Sequence, residues 1–216
     1  MRKVAILAAA VLLAAPLGAA TVPADLVGFL PADAQVVLAV DIAALRANPT
    51  VQEWLLEHQA PWSGVDDEAA AFLRDAGLDP VKDVDSMVVG VAVRDGREDA
   101  LALCGGRFDP TSMGEALVAR GASVVPLPGG TAYRMTDKDD DGDEHSTLLY
   151  PLANVVMVGT DRAVAAAAIR KPGGTPLVDA EVAAGRLDTA AHLWFVADVA
   201  AHAQRAAEMA EAAEGA

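Results

Sequence analysis

Cysteine is nearly missing from this chain: Cys104 is the single example in 216 residues, so no disulfide can form within it and packing alone must hold the fold. Aromatic residues are scarce too, with three Trp, two Tyr and four Phe. A sugar or peptide groove lined with rings would use up most of that supply, so Trp54, Trp62 and Trp194 read as core fillers. Basic residues are few: 16 Lys and Arg stand against 31 Asp and Glu, a formal charge of -15. A field of that sign repels phosphate backbones and anionic headgroups, which argues against nucleic acid and anionic membrane surfaces as partners.

The local signatures of common chemistries are missing as well. His58, His145, His192 and His202 form neither H-E-x-x-H nor a Cys/His pairing, so no zinc site is written locally. His58 falls on an apolar helical face and reads as a packed or rim histidine. No G-x-S-x-G surrounds Ser63, Ser86, Ser112, Ser123 or Ser146. The paired glycines at 105–106, 129–130 and 173–174 lack the lysine of a phosphate loop and the dinucleotide fingerprint, and read as turns and bulges. Cys104 sits at a strand position with no histidine near it in sequence, which favours a small buried hydrophobe over a nucleophile.

What is present begins with MRKVAILAAAVLLAAPLGAA. Two basic residues, an apolar run from Val4 to Leu17 and small residues at Gly18 and Ala20 make the layout of a secretory signal peptide over residues 1–20, cleaved after Ala20. No Cys follows the run, so a lipid anchor at a new N-terminal cysteine is not expected, and the mature protein is expected to be periplasmic or secreted. Arg2 and Lys3 leave with the signal, so the mature chain carries 14 basic against 31 acidic residues, 14 − 31 = −17. A hydrophobic content of 53% argues for an ordered core despite that charge.

Period-2 runs occur at 34–42, 85–93, 99–107, 130–136, 146–152, 154–161 and 192–199, the pattern of strands buried chiefly on one face. Small residues at Ala39, Gly90, Ala92, Ala102 and Cys104 would let helices lie close to the sheet. Helix ends are legible: Thr50 with Glu53 as a capping box, Asp66 to Gly77, Asp109-Pro110 to Gly121, and Asp161 to Arg170-Lys171 before Pro172. Asp83/Asp85 and Asp66/Asp67 sit at element entries and read as caps and turns rather than acid and base. Asp95-Gly96 is a strong hairpin turn. The expected fold is α+β, a mainly antiparallel sheet with helices packed chiefly on one face, with the βαββαβ order of a ferredoxin-like unit from Ala34 to Val125. Residues 21–190 form this domain. Residues 191–216 are a strand–helix unit that either completes the first sheet or starts a partial repeat: AHLWFVADVAA at 191 aligns with AQVVLAVDIAA at 34, an offset of 191 − 34 = 157, with Asp198 matching Asp41.

The succession FLPADAQVVLAVDIAAL, GLDPVKDVDSMVVGV, GRFDPTSMGEALVARGA and VVMVGTDRAVAAAA resembles a family of uncharacterised exported bacterial proteins. In that family an LPAD entry, a GLDP…DVD link and a G-x-FD helix start recur in this order. The resemblance spans most of residues 29–170 and implies a domain with no catalytic residues to carry over.

The densest acidic stretch is MTDKDDDGDEHST at 135–147. Asp137, Asp139, Asp141 and Gly142 match the D-x-D-x-D-G half of a calcium loop, and Asp143 with Glu144 adds further oxygens. The twelfth position, a bidentate Glu in such loops, is Leu148, and the flanks are strands, which favours a solvated hairpin tip over a metal site. No other cofactor is implied. Three functions follow for testing: a non-enzymatic exported domain that binds an envelope protein partner or acts as a scaffold there, a calcium-responsive module using residues 137–144, and a hydrolase whose site assembles from sequence-distant residues.

Overall fold

The computed structural model describes residues 24–57, 67–94, 97–138, 144–170, 173 and 175–199. The signal segment, His58, Trp62, Asp66, the Asp95-Gly96 turn, Asp139, Asp141, Asp143 and the tail from residue 200 lie outside the described residues, as does the side chain of Trp54. The elements are α1 (Ala24–Val27), β1 (Val36–Asp41), α2 (Ile42–Ala47), α3 (Pro49–Glu57), α4 (Asp67–Asp75), α5 (Pro80–Asp83), β2 (Val84–Arg94) and β3 (Arg97–Gly106). They continue with α6 (Pro110–Ala119), β4 (Ser123–Leu127), β5 (Gly130–Lys138), β6 (Glu144–Pro151), β7 (Val155–Gly159), α7 (Asp161–Ile169), α8 (Pro176–Ala183) and β8 (Leu193–Ala197).

The protein is α+β, with one antiparallel sheet of eight strands in the order β4-β5-β6-β7-β3-β2-β1-β8. Its centre is the long β2–β3 pair, running from Val84 opposite Gly106 to Arg94 opposite Arg97. Alternation along each strand gives the sheet two faces. The first face carries Val37, Ala39, Val88, Leu101, Leu103, Met157, Trp194 and Val196, all buried, and is covered by Leu26 and Leu30, by Val164 and Ala167 of α7 and by Val178 of α8. The second carries Val156, with Cys104 and Val158 partly buried, and is covered by Met113 and Ala116 of α6 and by Phe72 and Ala76 at the end of α4.

Helices therefore lie on both faces rather than chiefly on one. The reason is β7, where Val155, Val156 and Met157 are buried in succession and so need cover on each side. The strand pairing departs from that of a ferredoxin-like unit. β4 lies at the far edge beside β5, while β1 pairs with β2 and β8. Pro126 within β4 has no N–H to give a ladder, which suits that strand to an edge position.

Small residues admit the covering segments, as their spacing suggests. A Cβ on Gly90 would stand 2.9 Å from a methyl of Leu30, so the turn after α1 rests directly on β2. Asp41, Asp79 and Asp109 cap α2, α5 and α6 by accepting from Ala44 N, Val81 N and both Thr111 N and Ser112 N. Gly77 and Gly121 end α4 and α6 with φ of 65° and 86°. Two starts differ from expectation. Asn48, whose side chain accepts from Thr50 N at 2.9 Å, stands at the head of α3 in place of Thr50, and Thr160 caps α7 so that Asp161 falls in its first turn. In both cases the helix begins one or two residues earlier, at a position with its own capping side chain.

β8 extends the same sheet by pairing with β1, and its register bears on the repeat. Leu38 lies opposite Phe195, and 38 + 157 = 195, so the two are equivalent under the sequence offset. Asp41 N donates to His192 O and Asp198 N to Gln35 O, each at 2.7 Å, and these two bonds exchange under the same offset. Equivalent residues thus face one another about a local two-fold axis between Leu38 and Phe195.

Strand-to-strand backbone approach is very close at Gly159 of β7. A Cβ there would lie 2.2 Å from the carbonyl oxygen of Ala100, a backbone atom that cannot turn aside. We expect Gly159→Ala to cost about 3 kcal/mol, the upper end of the usual overpacking range. Gly77→Ala, with open space around it, should cost only about 1 kcal/mol for the left-handed backbone. Urea midpoints of the two variants at equal m-value check the ranking.

Candidate functional site

A groove of about 750 Å³ opens between α6 and the β4–β5 hairpin, with Pro151, Leu152 and Ala153 at its floor. Asp109 and Pro110 start α6, and Gly114 lets that helix sit on the sheet: a Cβ at 114 would stand 2.1 Å from the Tyr133 hydroxyl. The opposite wall is the tight turn at Pro128-Gly129, where Gly129 has φ 90°. It is held by Tyr150, whose hydroxyl donates to Pro128 O at 2.9 Å, and burial pushes the Tyr150 phenol up from its ordinary value. The lining is mostly apolar. Val118 and Val124 remain 49% and 59% exposed there, Thr111, Thr131 and Tyr133 supply hydroxyls, and Glu115 contributes the carboxylate.

A second concavity of about 500 Å³ is lined by Asp85, Ser86, Asn154 and apolar residues including Phe29 and Met157. Beside it the sheet places Ser86, Asp41 and His192 in one cross-strand row. The order is wrong for a nucleophile and its base, because the aspartate lies between serine and histidine. Asp41 is also engaged as the α2 cap, and its other oxygen stands 3.8 Å from His192 Nδ1. Asp85 is tied to Arg46 at 2.8 Å, and Asp83 accepts from Asp79 N at 2.8 Å, so both serve structure.

The main charge cluster lies at the other end of the strands. Asp99, 6% exposed, accepts from Arg94 at 3.1 Å, from Arg162 Nε at 2.6 Å and from the Thr160 hydroxyl at 3.2 Å, which ties the cap of α7 to β3. Arg94 also grips both carboxylate oxygens of Asp33. Nearby, Asp161 accepts from Arg134 Nε at 2.8 Å and from Ser146 Oγ at 3.3 Å. Arg94, Arg162 and Arg134 are each matched by a carboxylate, so the chemistry of this cluster is fastening.

Of the acidic stretch, Asp137 is exposed on β5 opposite His145, and Lys138 meets Glu144 at 3.2 Å across the next pair. Asp139, Asp141 and Asp143 lie outside the described residues. Cys104 is partly buried on the second face, and desolvation pushes its thiol up to about 11, which leaves it protonated at neutral pH. The groove itself was not visible in the sequence, since its walls come from residues as far apart as Pro110 and Ala153. The α8 helix was missed too, although Thr175-Pro176 is a helix-start pair; Thr175 is fully buried and donates to Val27 O at 3.1 Å.

No known family profile matches the sequence, and no curated protein matches it. Two solved structures, crystal forms IV and III of TP0453, are similar at TM-scores of 0.39 and 0.38 and identities of 12% and 13%. Each comparison covers 76% of this chain and 60% of the other, so the chain spans about 60% of the length of those structures.

The Arg94 contact sets a pH dependence. Its hydrogen bonds hold the Asp33 carboxyl below the ordinary aspartate value of 3.8. A carboxyl depressed in the folded state stabilises fully above its unfolded value and loses that contribution as pH falls through the folded one. The gap in urea midpoint between the natural chain and Asp33→Asn is therefore expected to be open at about pH 6 and to narrow as pH falls below the ordinary aspartate value. A gap that stays constant with pH would show that the pair adds nothing specific.

Proposed function

We propose that this chain is a non-enzymatic exported binding module, periplasmic or secreted, that receives an apolar segment of a partner protein of the cell envelope in the groove between α6 and the β4–β5 hairpin. The observation that carries the reading is the pair of exposed valines, Val118 and Val124, inside a concave wall built on rigid elements. Glu115 in the lining and the overall charge of -15 favour a segment flanked by lysine or arginine.

The groove reading is tested with bis-ANS as an apolar probe on the mature chain, whose mass should also place the N-terminus at Thr21. The double change Val118→Glu, Val124→Glu should cut the fluorescence enhancement about fivefold with an unaltered melting temperature. Ile169→Lys, which alters an exposed apolar residue outside both the groove and β8, serves as the control. Equal enhancement in the double variant would remove the groove from consideration.

The calcium-responsive reading rests on Asp137, Asp139, Asp141 and Asp143, and a bound ion would have to draw Glu144 away from Lys138. Calcium at a hundredfold excess over its dissociation constant should add about 2.7 kcal/mol of stability. An unchanged melting temperature between millimolar calcium and chelator would end that reading. Among the described residues the Ser86, Asp41 and His192 row brings serine, aspartate and histidine together, and its order disfavours a hydrolase.

A further inference from the structure

The two edges of the sheet are finished differently. β4 carries Pro126, which cannot donate to a neighbour, whereas β8 is Leu193-Trp194-Phe195-Val196-Ala197, without proline, glycine or charge. Natural proteins rarely leave such an edge unguarded. Its side chains are not all spent on the core either: Trp194 and Val196 are buried on the first face, while Phe195 points from the second face with 59% exposure.

The β1–β8 register decides which backbone groups the edge presents. Asp41 N donates to His192 O and Asp198 N to Gln35 O, so by the alternation of an antiparallel ladder Trp194 and Val196 also bond to β1. The N–H and C=O groups of Leu193, Phe195 and Ala197 then point away from the sheet. On β1 the equivalent residues Val36, Leu38 and Val40 direct theirs toward β2.

We propose that the outer edge of β8, which pairs with no strand among the described residues, joins a second copy of this chain, β8 against β8 in antiparallel register centred on Phe195. Three features select a copy over an unrelated strand. This segment already pairs antiparallel with its own repeat equivalent about Leu38 and Phe195. A two-fold through Phe195 sets Leu193 opposite Ala197 and Phe195 opposite itself, so every outward N–H and C=O meets its complement, the two Phe rings become cross-strand neighbours, and His192 of one copy falls opposite Asp198 of the other. Because Pro126 marks the other edge, such pairing closes at two copies instead of growing into a fibre. The inference stands apart from the groove, which lies at the β4 end of the sheet.

A five-residue strand spans about 16 Å, a small contact, so the dimer should be concentration-dependent. Each copy carries -15, so added salt should strengthen it. Sedimentation of the full chain from about 1 to 200 µM should show a mass rising from one chain toward two. Phe195→Lys should raise the dissociation constant at least about tenfold without changing the melting temperature. Phe195→Cys should give a disulfide-linked dimer on oxidation, since hydrogen-bonded partners have Cα atoms about 5.5 Å apart, within disulfide reach. A natural chain that stays at the mass of one copy at the highest concentration overturns the proposal. So does a dimer that Phe195→Lys leaves intact, or a monomer that instead takes up an added strand peptide.

Discussion

The β2–β3 pair is the constraint on which the rest of the molecule depends. Val88, Leu101 and Leu103 at its centre have no exposure at all, and their burial requires the Leu26–Leu30 segment, α7 and α8 to close over the first face. The same two strands present Cys104 and its neighbours to α4 and α6 on the second face. β7 on one side and β1 on the other extend the pair, and the two halves of the sheet then diverge. Toward β4 the second face is roofed by α6, and the seam between roof and hairpin is the groove. Toward β8 the sheet ends in an apolar strand with Phe195 uncovered.

Charge takes the opposite part. With 31 acidic side chains to place, the chain turns many of those described into fasteners. Asp41, Asp79 and Asp109 cap helices, Asp85 holds Arg46, Asp161 holds Arg134, and Asp99 gathers Arg94, Arg162 and Thr160 around one buried carboxylate. A buried carboxylate left without those arginines would be strongly destabilising, which is why the cluster spans β2, β3 and α7 rather than any cavity. Apolar side chains left exposed among the described residues include Val118 and Val124 in the α6 groove and Phe195 on β8.

Much of this was legible in the sequence where a signal is local. Alternation marked every strand from Val36 to Ala197 except β4, and Asp109-Pro110 and Gly121 bracketed α6 as they stand. Features that depend on long-range pairing were not. Nothing local says that β4 takes the far edge, although Pro126 hints at it, or that Val155 to Met157 must be covered on both sides. Asn48 and Thr160 displaced the expected caps because several capping residues stand in a row and only tertiary packing chooses among them. The groove unites residues more than forty positions apart, so no motif could announce it. The weak repeat at 34 and 191 was readable, but its meaning came only from the register that sets Leu38 opposite Phe195.

That register is the claim on which the symmetry and the open edge both stand, and amide hydrogen exchange read residue by residue in a dilute sample tests it most directly. Trp194 and Val196 should be protected and Leu193, Phe195 and Ala197 should exchange quickly, an alternation confined to β8, while Val88, Leu101 and Leu103 exchange slowest of all. Protection that is uniform along β8, or that falls on Phe195 instead of its neighbours, would contradict the account.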